Sequence, residues 1–122
     1  GLIECKLIYV DRGFLFSRIP DSLRGADLVM TYNNDKKLDR SDARYEVTIK
    51  HASTLLALID TRIESDVGWL KKGPLKFHKT SDLVQTDSDY GFRVYKVDLP
   101  PGTYNLGSQT GGSFYSIAAL KK

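Results

Sequence analysis

A chain of 122 residues, 41% apolar and 27% charged, has the length of one domain and can bury roughly two-thirds of its unfolded surface, so its stability requires neither a metal nor a disulfide staple. The lone cysteine, Cys5, cannot close an intrachain bridge, and no apolar run approaches the roughly 20 residues that cross a bilayer. A net charge of +3 without a helical reading element, a zinc pattern or a ribonucleoprotein-type aromatic motif argues against nucleic acid as the partner.

Strand signals recur along the chain, separated by turn chemistry. Phe14-Leu15-Phe16 is followed by the turn signals Ile19-Pro20-Asp21 and Arg24-Gly25, then by Leu28 to Tyr32 and the turn Asn33-Asn34-Asp35. Tyr45, Val47 and Ile49 alternate with Glu46, Thr48 and Lys50, the period of a strand with one wet face. Leu55 to Ile59 is a continuous apolar run. Leu55, Leu56, Ile59 and Ile63 also fit a helical face, but the short His51-Ala52-Ser53 link after an alternating strand favours a second strand and a hairpin. Phe92 to Val97 and Thr103 to Leu106 follow. In Phe114 to Leu120 both registers are apolar or small, as expected of a central or closing strand. Short strands with Gly/Pro turns and no helical pattern predict an all-β antiparallel sandwich or jelly roll of about eight strands, filling residues 1–122 as a single, monomeric domain. A start at Gly1, with neither the length nor the basic flank of a signal peptide in Leu2-Ile3-Glu4-Cys5, suggests an excised domain or a processed product, one module of a longer polypeptide.

Catalytic constellations are not visible. His51 and His78 lack metal-ligand spacing and read as surface or hairpin residues. Asp87-Ser88-Asp89-Tyr90-Gly91 resembles a calcium loop only faintly, because its glycine comes one position early and the fifth-position acid is missing. Asp60, Glu64, Asp66, Asp87 and Asp89 have no sequence reason to converge as a glycosidase pair. The expectation is a non-catalytic chain without cofactor or metal.

Binding chemistry is better represented. Asp60-x-Arg62 closes an apolar strand and suits either a local ion pair or hydrogen bonds to a hydroxylated ligand. Trp69, in Gly68-Trp69-Leu70, can stack on a sugar ring or pin its loop to the core. Asn33, Asn34 and Lys36, beside Tyr32 and Asp35, suit vicinal hydroxyls or an Asx turn. Lys71, Lys72, Lys76 and Lys79, with His78 among them, form a stretch without a carboxylate, which suits an anionic partner but, taken alone, more often marks a solvated loop face. Tyr45, Tyr95, Tyr104 and Tyr115 lie in strand-like segments and read as packing residues.

The ordered series Asp11-Arg12-Gly13-Phe14, Ile19-Pro20 with Leu23-x-Gly25, Thr31-x-x-Asn34-Asp35-Lys36, Asp60-x-Arg62, Trp69-Leu70 and Pro101-Gly102-Thr103-x-x-Leu106-Gly107 resembles an accessory β-sandwich module of secreted bacterial carbohydrate-active proteins. The resemblance spans nearly the whole chain. It implies a non-catalytic, extracytoplasmic, carbohydrate-associated module of the kind often attached to polysaccharide lyases or hydrolases; the leading expectation is a carbohydrate-binding module, and the lysines beside Trp69 make an acidic polysaccharide its preferred ligand. The alternative is a spacer that packs against a catalytic neighbour. No membrane partner is expected.

Overall fold

The structure, a computed structural model, describes residues 2, 15–29, 45–63, 70, 75–106 and 115–121. These residues form eight strands: β1 (Phe16–Arg18), β2 (Asp27–Val29), β3 (Tyr45–Ile49), β4 (Ser53–Asp60), β5 (His78–Thr86), β6 (Gly91–Leu99), β7 (Gly102–Leu106) and β8 (Ser116–Lys121). A 3-10 turn, Asp21–Leu23, lies between β1 and β2. The all-β expectation is met. Six strands make one antiparallel sheet in the order β1-β5-β6-β4-β8-β2, and β3 pairs with β7 in a second.

The apolar run predicted to be a strand sits at the centre of the large sheet. β4 is flanked by β6 and β8, and Leu55 through Ile59, whose side chains alternate between the two faces, are all fully buried, which is why this segment shows no polar alternation. The contribution is about 1.5–3 kcal/mol for each large side chain so buried. β8 is interior too, between β4 and β2, and the small residues Ser116 and Ala118 are both buried there. β3 keeps the alternation read from sequence. Val47 and Ile49 turn to the core, while Thr48 faces out and meets Thr103 across the ladder at 3.1 Å. Tyr95 and Tyr115 are buried, and Tyr104 packs partly against the core while donating its hydroxyl to the Pro100 carbonyl at 2.6 Å.

Two local expectations are corrected. β3 and β4 do not form a hairpin: both edges of β4 are taken by β6 and β8, so the chain crosses from one sheet to the other through Lys50 to Ala52. The second correction is β5, a strand that sequence pattern does not reveal. Its ladder with β6 shifts register between Lys79 and Leu83, which destroys the period-2 signal. Side chains hold this bulge in place: Thr80 Oγ1 donates to the Val94 carbonyl at 2.7 Å and accepts from Asp82 N–H at 3.1 Å, and Arg93 Nη1 donates to the Ser81 carbonyl at 3.0 Å. His78 and Lys79 thus belong to a strand and not to a loop. Ahead of β1, Leu15 N–H donates to Asp87 Oδ1 at 3.0 Å and the Leu15 carbonyl accepts from Asp87 N–H at 2.9 Å, which ties the chain to the β5–β6 turn.

Gly25 lies between the 3-10 turn and β2 with φ of 85°, a left-handed conformation that side chains disfavour, and its N–H donates to the Leu2 carbonyl at 2.9 Å. An added Cβ would meet nothing within 4 Å, so the cost of substitution is confined to the backbone. Gly25→Ala is expected to lower stability by about 1 kcal/mol in urea unfolding.

Candidate functional site

The site grows from the last residue of β4. Asp60 is fully buried, and its carboxylate accepts the backbone N–H of Arg62 at 2.9 Å, an Asx-type closure that turns the chain as the strand ends. The same carboxylate receives Arg62 Nε at 3.0 and 3.1 Å and Arg62 Nη2, so the side chain folds back over the turn in a forked pair. Thr61 N–H donates to the Gly91 carbonyl at 3.0 Å, and Ile63 N–H to the Asp60 carbonyl at 3.1 Å. The local ion pair anticipated from the two-residue spacing is therefore present. Asp60 itself has no open surface toward a ligand.

Arg62 is different. Half of its side-chain surface, 51%, remains exposed, and the guanidinium carbon lies 4.5 Å from the centroid of the Tyr90 ring. Tyr90 in turn meets Phe92 edge-on, with centroids 5.6 Å apart and planes at 88°. The hydrogen bonds to Asp60 raise the arginine's pKa further above its usual range, so the group is a permanent cation. The β5–β6 turn that presents Tyr90 is itself braced: Thr86 Oγ1 donates to the Tyr90 carbonyl at 2.8 Å and accepts from Ser88 N–H at 3.2 Å. Beside it opens a shallow pocket of about 340 Å³ whose polar lining includes Thr61, Gln85, Ser88 and Asp89. An oriented guanidinium backed by an aromatic ring, next to hydroxyl, amide and carboxylate groups, is equipped to bind hydroxyls and carboxylates. Among the described residues, no three His, Cys, Asp or Glu side chains converge as metal ligands.

Of the remaining candidates from sequence, Lys76 is exposed just ahead of β5. Trp69, Lys71, Lys72, Tyr32, Asn33, Asn34 and Lys36 lie outside the described residues. Tyr90 is a site residue that sequence pattern does not single out, since Asp87-Ser88-Asp89-Tyr90-Gly91 reads as a turn and a faint calcium loop. Its position at the mouth of a tight turn, directly before a strand, was the available signal.

Compared with solved structures, the chain is similar to part of a β-glucuronidase from glycoside hydrolase family 2, with a TM-score of 0.79 over 98% of this chain at 16% identity. The chain spans 13% of that enzyme's length. At this identity the likeness establishes a shared β fold. No protein-family profile matches the sequence, and no curated protein does.

Proposed function

We propose that this chain is a non-catalytic accessory domain of a larger carbohydrate-active protein and that it binds polysaccharide, preferably acidic, keeping an attached catalytic domain close to its substrate. The observation that carries the reading is the half-exposed Arg62, fixed by buried Asp60 and stacked on Tyr90, a residue that itself lines a shallow polar pocket. A guanidinium held in this way loses little side-chain freedom on meeting a carboxylate. The fold likeness to a small portion of a glycosidase supports an accessory role beside a catalytic neighbour. The motif series supports an extracytoplasmic location. One site of this kind binds weakly, and its effect comes from tethering, which raises the effective concentration of substrate.

Affinity gel electrophoresis tests the proposal with polygalacturonate and a neutral galactan. Retention is expected on polygalacturonate, declining as salt rises because an exposed cation is screened over about 8 Å at physiological ionic strength. Arg62→Gln, assayed well below its melting temperature, should lose the preference. Equal retention on both polymers at all salt concentrations would remove the charge argument. A second reading, that the domain is a spacer packed against its neighbour, is favoured by the 13% share of the matched enzyme and gains if no polysaccharide retards the chain.

A further inference from the structure

The end of β4 opposite Arg62 carries a second cavity. A cleft of about 320 Å³ opens between the two sheets where β3 faces β8, with a floor of Val47, Ile49 and Ala119 and with Lys50, Lys121 and Asp27 at its mouth. It is anchored at Ser53, the first residue of β4, whose hydroxyl donates to the His51 carbonyl at 2.8 Å and fixes the crossover between the sheets. With a rise of about 3.3 Å per residue, Ser53 and Asp60 are about 23 Å apart, so this cleft is distinct from the pocket beside Tyr90.

The groups at the mouth are all exposed, and among the described residues none of Lys50, Lys121 and Asp27 is engaged in an ion pair. Their combination is selective. An apolar floor suits the C–H face of a pyranose ring, two ammonium groups suit a carboxylate, and the Asp27 carboxylate of the same lining suits ring hydroxyls as a paired acceptor. A plain anion would be repelled by Asp27 and gain nothing from the floor, and a neutral sugar would leave the lysines unused.

We infer that the cleft between the sheets, lined by Val47, Ile49 and Ala119 and rimmed by Lys50, Lys121 and Asp27, is a second binding site that takes the carboxylate-bearing pyranose ring of an acidic glycan. This rests on the carbohydrate-binding reading above and adds to it a site at the far end of the domain.

Nuclear magnetic resonance titration of the labelled chain with sodium glucuronate, methyl glucoside and sodium acetate provides the test. Glucuronate should shift the Ala119 and Ile49 methyl resonances saturably, while the glucoside and acetate leave them in place. Lys50→Ala with Lys121→Ala, both on exposed positions, should weaken the glucuronate response at least about fivefold, as expected for lost charge-assisted bonds. Unmoved Ala119 and Ile49 methyls, or equal shifts with glucoside or acetate, would overturn the inference. If glucuronate moves Gln85 and Asp89 but not Ala119, the cleft is overturned and the Arg62 reading stands. If it moves Ala119 while no polysaccharide retards the chain, the cleft stands and the tethering role falls.

Discussion

Phe92→Ala should lose about 3–5 kcal/mol of stability in urea unfolding, the range for deleting an aromatic side chain from a core that cannot close around the gap. Phe92 is fully buried on β6, an interior strand between β5 and β4. Its ring lies 6.5 Å from that of Phe16 on the edge strand β1 and 5.6 Å from that of Tyr90, so one side chain joins the edge of the sheet to the aromatic platform under Arg62. The alanine variant should therefore also loosen Tyr90 and weaken polygalacturonate retention at temperatures where the domain is still folded. Phe92→Leu, which keeps most of the volume, should cost about 1.5 kcal/mol or less and largely preserve retention. A loss below 1 kcal/mol for the alanine variant would show that Phe92 does not fill the position described.

Those parts of the fold whose signal is local were readable from sequence. β4 and β8 could be recognised because a strand covered on both faces is apolar in both registers, and β3 because its outer face is wet. Pairing was not readable. Whether β3 turns back onto β4 depends on who occupies the edges of β4, and its partners β6 and β8 lie far along the chain. β5 was hidden for a different reason: Thr80 and Asp82 spend their hydrogen bonds on a bulge, and a bulge erases the alternation by which a strand is recognised. The site divides in the same way. A two-residue spacing made the Asp60–Arg62 pair legible, but the burial of one partner, the exposure of the other and the arrival of Tyr90 from the β5–β6 turn are properties of the assembled sheet.

The unequal exposure of that pair gives Arg62→Ala an expected cost of about 3 kcal/mol. Removing the arginine takes from the fully buried Asp60 carboxylate the hydrogen bonds of Arg62 Nε and Nη2 and the cation they carry, whereas the departing side chain was half in water. Breaking a buried pair from one side costs about 3–5 kcal/mol, and the exposure of Arg62 places this case at the low end. Alanine retains the backbone N–H that closes the turn on Asp60 Oδ1, so the turn itself survives. Asp60→Asn in the same background removes the buried charge while its side-chain carbonyl still accepts that N–H. The double variant should therefore be more stable than the sum of the single losses requires, with a coupling of about 1.5–2 kcal/mol in a double-mutant cycle. Arg62→Lys should fall between wild type and alanine, since an ammonium restores the charge but neither the fork nor the stack on Tyr90. Additive losses would mean that water reaches Asp60 once the arginine is gone. In that case Arg62 owes its orientation to Tyr90 more than to the carboxylate, and Tyr90→Ala, leaving Asp60 intact, should then remove the acidic-glycan preference on its own.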